Sequence, residues 1–135
     1  MADERGPVVD LREGARRDAK VIGSKDGVRI LLDDTGGQER IVVETPGGQR
    51  VTLEDGPGSV AIEDSNGNAI TLESWGVTVT AAAKVTVMAS TVEISAASVT
   101  VNAGLTRFAG IIQATSVIAD SIVAQSYTPG AGNLM

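Results

Sequence analysis

Residues 30–101 are organised by nine short apolar pairs of the form Val/Ile/Leu-x-Val/Ile/Leu, with almost no other hydrophobic pattern between them. The pairs are Ile30/Leu32, Ile41/Val43, Val51/Leu53, Val60/Ile62, Ile70/Leu72, Val77/Val79, Val85/Val87, Val92/Ile94 and Val99/Val101. Their first members lie 11, 10, 9, 10, 7, 8, 7 and 7 residues apart, so the repeat shortens toward the C-terminus. Side chains alternate along a strand, so each pair places two apolar groups on one face. The residue between them, such as Thr52, Ala61, Thr71, Thr78, Thr86, Glu93 or Thr100, is expected to face solvent. The spacing predicts an all-β stack of short, one-sided strands, a repeat architecture in which no single unit folds alone.

A chain of 135 residues is one domain's worth, yet it contains one Trp, one Tyr and one Phe. That is little bulk for a globular core. Two inward side chains per strand would leave an open groove whose burial hardly offsets the ordering entropy, so closure is expected from other chains. Cysteine and histidine are both absent. Disulfides, Cys-ligated metals, the commonest general base and the commonest metal ligand are thereby excluded. No apolar run approaches the roughly 20 residues of a membrane helix, and Met1-Ala2-Asp3-Glu4-Arg5 does not read as a signal peptide. Synthesis in the cytoplasm as a soluble chain is the expectation.

The net charge of −6 is unevenly spread. Residues 1–32 hold six acids and seven bases, and residues 33–73 hold nine acids against Arg40 and Arg50. Residues 74–135 hold only Glu93, Asp120, Lys84 and Arg107, which argues against a nucleic-acid partner beyond the N-terminal arm. Residues 1–20 read as a linker or attachment arm, with a little strand around Val8/Val9. Residues 21–104 read as the shaft. Its early corners, such as Glu44-Thr45-Pro46-Gly47-Gly48 and Glu63-Asp64-Ser65-Asn66-Gly67, carry turn chemistry, with Gly supplying positive φ. After Gly76 the corners shrink to Ala- and Ser-rich bends, and the cross-section is expected to narrow. Residues 105–135 form a narrow tip with a five-residue period, Ile112-x-Ala114, Val117-x-Ala119 and Ile122-x-Ala124, ending in a cap without charged side chains.

The stretch Val21-Ile22-Gly23-Ser24-Lys25-Asp26-Gly27-Val28-Arg29-Ile30-Leu31-Leu32-Asp33-Asp34-Thr35 resembles the opening of the C-terminal β-helix in spike proteins of contractile injection systems. That family comprises the cell-puncturing proteins of phage tails, the valine-glycine repeat proteins of type VI secretion and the spikes of extracellular injection particles. Glu39-Arg40-Ile41, residues 59–68 and Ile70-Thr71-Leu72 follow the same rung pattern, and Ser126-Tyr127-Thr128-Pro129-Gly130-Ala131-Gly132-Asn133 is similar to a terminus found in such spikes.

The resemblance implies an intertwined homotrimeric triangular β-helix that tapers toward the C-terminus, with the nine pairs as trimer core and every strand paired to a neighbouring chain. At about 4.8 Å per layer, nine layers would span roughly 43 Å. It further implies a structural, cell-puncturing spike that carries a PAAR-like tip protein at its C-terminus, with Tyr127, Pro129, Leu134 and Met135 as contacts or self-capping groups. Hub or baseplate proteins would meet the N-terminus, and the target membrane would be touched in passing. Family members usually carry an oligonucleotide/oligosaccharide-binding barrel before the β-helix, whereas here the pattern starts near Val21. Some spikes also end in a His-x-His motif that holds iron, which the absence of histidine excludes here.

No catalytic, cofactor-binding or metal constellation emerges, and the chain is not expected to be an enzyme. The acid pairs Asp33/Asp34, Glu54/Asp55 and Glu63/Asp64 recur at the same place in the repeat, which reads as corner solubility in preference to glycosidase carboxylates or calcium ligands. Trp75 reads as a ring covering the junction of wide and narrow layers. Two alternatives stand: a single-chain solenoid of the bactofilin kind, and a trimeric tail fibre or adhesin. The first predicts inward apolar residues from every side of one chain and coils near 18 residues, whereas the nine pairs and their seven-residue spacing fit one strand per 120° step better. The second would expose recognition aromatics, which the chain lacks.

Overall fold

The computed structural model describes the backbone of residues 8–10, residues 19–128, and residue 130. The chain forms two units, Met1–Ser90 and Thr91–Met135. The first holds an eight-stranded sheet: β1 (Val8–Asp10), β2 (Ala19–Gly23), β3 (Arg29–Asp33), β4 (Arg40–Glu44), β5 (Arg50–Glu54), β6 (Ser59–Glu63), β7 (Ala69–Glu73) and β8 (Gly76–Thr80). Spatial order follows chain order, and each strand is antiparallel to the next.

This corrects one expectation. The strands of residues 19–80 pair with one another within the chain, where each was expected to pair with a neighbouring chain. The cause lies in the corners. Gly27, Gly37, Gly48, Gly58, Gly67 and Gly76 all take positive φ, so the backbone reverses after each strand and returns beside the one it has left.

Charge placement selects the same pairing. Strands β3, β4 and β5 each open on Arg and close on an acid. Stacked in parallel, they would set Arg29, Arg40 and Arg50 side by side. Antiparallel pairing instead places Arg29 opposite Glu44, Arg40 opposite Asp33 and Glu54, and Arg50 opposite Glu44 and Glu63. Salt bridges form at Arg29–Glu44 (3.1 Å), Arg40–Asp33 (3.4 Å), Arg50–Glu44 (3.2 Å) and Arg50–Glu63 (3.4 Å). Each exposed pair contributes no more than about 1 kcal/mol, but like charges in the same positions would repel, so the ladder acts chiefly on register.

Beyond Thr80 the hairpins stop. Among the described residues from Ala81 onward there is no strand, no backbone–backbone hydrogen bond and no glycine of positive φ. The apolar pairs Val85/Val87, Val92/Ile94 and Val99/Val101 therefore sit on chain that does not turn back on itself. The five-residue strand at Val8–Asp10's partner, β2, also begins two residues before Val21, and β1 lies inside the segment read as an arm.

A candidate trimerisation surface

Residues directly opposite in an antiparallel ladder share a face, so the register decides which side chains lie together. One face carries two unbroken apolar rows. The first runs Ile30–Val43–Val51–Ile62–Ile70–Val79, and the second runs Leu32–Ile41–Leu53–Val60–Leu72–Val77. The first six sequence pairs are thus brought together on one sheet surface. Ile22, opposite Ile30, extends the first row by one strand, and Lys20 stands opposite Leu32 in the second.

These rows are uncovered within the chain. Nine of the twelve side chains are exposed, among them Leu32 at 37%, Ile62 at 46% and Val77 at 65%, and Ile30, Val51 and Val60 are half-buried, a pattern that no folded core shows. Each Val, Ile or Leu that becomes fully covered contributes about 1.5–3 kcal/mol, so covering this face outweighs everything the salt-bridge ladder supplies.

The opposite face differs from expectation. Its central row is Leu31–Val42–Thr52–Ala61–Thr71–Thr78. The middle residues were expected to face open solvent, yet Val42 is the one buried apolar side chain among the described residues, and Leu31, Thr52, Ala61 and Thr71 are half-buried. The charged ladder rises beside this row and shields it, leaving a depression of about 460 Å³ whose walls include Arg29, Arg40, Arg50, Glu44 and Glu63. The sequence signal for it was the Arg-x-x-x-acid frame of each strand, which apolar pairs alone do not reveal.

The acids at the strand ends do more than solvate corners. Asp33 is buried, accepts hydrogen bonds from Thr35 N (3.0 Å) and Thr35 Oγ1 (2.7 Å), and takes the Arg40 salt bridge. Asp64 binds the whole β6–β7 corner: Oδ1 accepts from Asn66 N (2.9 Å) and Asn68 N (3.0 Å), and Oδ2 accepts from Asn68 Nδ2 (2.9 Å) and Asn66 Nδ2 (3.3 Å). These bonds, the Asn68 side chain first, lower its pKa to about 2. Both oxygens accept from N–H donors, which makes this corner an Asx turn. Among the described residues no group of three or more acidic side chains is placed to hold a metal ion.

Of the remaining predicted core residues, Val85 joins Val51, Ile62, Ile70 and Val79 around an apolar depression of about 500 Å³. Val87, Val92, Ile94, Val99 and Val101 are exposed and make no ladder. In the second unit each adjacent apolar doublet is split: Ile111, Ile118 and Val123 are 97–98% exposed, whereas Ile112, Val117 and Ile122 are 62–69% exposed. Trp75 and Tyr127 are exposed. Pro129, Leu134 and Met135 lie outside the described residues.

Residues 40–106 match the family model of the phage baseplate V C-terminal trimerisation domain. Over that segment the chain is similar to this family. The matched segment spans β4–β8 and the three pairs from Val85 to Val101, so it takes in both hairpins and the chain that does not pair with itself. The matched family is a structural one of the phage baseplate, consistent with the C-terminal domain of a baseplate spike, and is not known for enzymatic activity. No curated protein matches the chain.

Proposed function

We propose that three copies of this chain close over their apolar rows to form the shaft of a cell-puncturing spike. The observation that carries the reading is the pair of uncovered aliphatic rows on one sheet face, in a segment similar to a trimerisation family. Three meanders packed through these faces would give a three-sided prism whose outer surfaces carry the charged ladder. Each side over residues 19–80 would come from one chain.

Beyond Thr80 the same three chains would interweave. A run without reversals cannot supply its own antiparallel partner, and seven-residue rungs suit a strand that passes from one side of a prism to the next. The remaining pairs through Val99/Val101 would then face the shared axis, and the shortened rungs would narrow the shaft. The antiparallel hairpins of residues 19–80 disfavour the single-chain solenoid, which stacks successive coils in parallel.

At the C-terminal end, Tyr127, Pro129, Leu134 and Met135 would receive a small tip protein, and the N-terminal segment would meet the hub. Ile111, Ile118 and Val123 would remain on the outside after the axis is filled by Ile112, Val117 and Ile122, a surface suited to passing contact with a membrane. The work of such a spike is mechanical, and phage tails, type VI secretion systems and extracellular injection particles all use one.

The test is delivery by particles that carry variants of this chain. Aspartate in the apolar rows should abolish delivery, and alanine at Asp55 or Glu93 should leave it intact. An indispensable corner acid in a correctly assembled trimer would contradict a purely mechanical role. Deleting residues 126–135 should leave a trimer that no longer retains its tip protein in a pull-down, and normal retention would place the docking site elsewhere.

A further inference from the structure

We infer that Asn66 is a site of spontaneous deamidation, and that its conversion loosens the corner that is tied to the chain beyond β8. The juxtaposition is an exposed Asn-Gly step whose glycine amide has been released from the turn. In the comparable corners Gly27 N donates to Ser24 O (3.3 Å), Gly48 N to Thr45 O (3.1 Å) and Gly58 N to Asp55 O (3.1 Å). At the β6–β7 corner the Asp64 carboxylate takes over this task by accepting from Asn66 N and Asn68 N. Among the described residues Gly67 N consequently donates to no acceptor.

A backbone amide without a partner is free to lose its proton, and glycine adds no Cβ to hinder approach. The reaction is then the ordinary one of asparagine in water. Gly67 N bonds to Asn66 Cγ as the Cγ–Nδ2 bond breaks, and Nδ2 leaves as ammonia. Water then opens the resulting five-membered imide at either carbonyl, giving aspartate or isoaspartate. The net change is one water consumed and one ammonia released.

The consequence follows from what Asn66 touches. Its Nδ2 donates to Asp64 Oδ2 at 3.3 Å, and conversion replaces that donor with a second carboxylate. Two like charges then share a turn whose other arm, Asn68, holds Ala82 N through Oδ1 at 2.9 Å. The isoaspartate product also adds a backbone atom to a corner where a Cβ on Gly67 would already lie 3.5 Å from Ala82 Cβ.

The experiment is peptide mapping with fragmentation on the full chain after incubation in mildly alkaline buffer, with and without urea. Asn68 and Asn102, each followed by Ala, serve as internal controls. The expected result is a mass gain of one amide-to-acid conversion that localises to Asn66, accumulates in the folded protein and slows in mildly acidic buffer. Asn68 and Asn102 should stay unconverted over the same period. Conversion at Asn66 no faster than at the two controls would overturn the inference. So would conversion that appears only in urea, because the folded corner would then protect the site.

Discussion

Asn68 Oδ1 accepts a hydrogen bond from Ala82 N at 2.9 Å, which fixes the corner between β6 and β7 to the chain just beyond β8. Asn68 is itself held through both its backbone N and its Nδ2 by Asp64. The relay Asp64–Asn68–Ala82 stands where the hairpins end and ties the β6–β7 corner to the chain beyond β8.

Replacing Asn68 with Ala removes the side-chain bonds to Asp64 and to Ala82. A net hydrogen bond contributes roughly 0.5–1.5 kcal/mol, so Asn68→Ala should destabilise the assembly by about 1–3 kcal/mol per chain. Denaturant unfolding of both proteins would measure this. An unchanged midpoint would mean that the corner does not hold the exit.

The same relay carries a pH dependence. The Asp64 pKa falls from 3.8 to about 2 through the Asn68 side-chain bond, then the Asn68 and Asn66 backbone bonds, which outweigh slight desolvation. A lowered folded pKa means the contribution is fully present above about 3.8 and is lost as pH falls through about 2. Melting temperatures taken down this window should fall more for the wild type than for Asp64→Asn. Parallel acid limbs for the two proteins would contradict the assignment.

Arg50 faces Glu44 on one side and Glu63 on the other. Arg50→Glu would set three carboxylates in a row, and the loss of two exposed pairs plus the new repulsion should cost about 1–2 kcal/mol. High salt should recover part of that loss. A salt-independent effect would show that Arg50 acts through packing of its stem.

The apolar pairs made the strands and their shared face legible in the sequence, because a period of two fixes facing whatever the partner is. Two things were hidden. Pairing within the chain rests on reversals at the glycine corners, which were read as turns but not as hairpins, and on Arg opposing acid across the three ladders from β3 to β6, a cross-strand relation that a linear spacing does not display. The half-buried row through Val42 was missed for a related reason: its cover comes from side chains on neighbouring strands. The distal pairs from Val85 to Val101 were visible as a repeat, but they form no strand within this chain.

Leu72 and Thr71 are adjacent and lie on opposite faces of β7. Leu72→Asp would bring a carboxylate from each copy into the covered rows, where an unpaired charge costs several kcal/mol. Thr71→Asp places the same group on the outer face. Size-exclusion profiles should show assembly lost in the first and kept in the second, and equal damage from both would refute the facing.

The central claim is that the apolar face is covered by two further copies of the same chain. Multi-angle light scattering on the purified chain measures this directly. The account predicts a single species of three times the chain mass that persists on dilution. A stable monomer, or a filament without a defined mass, would contradict it.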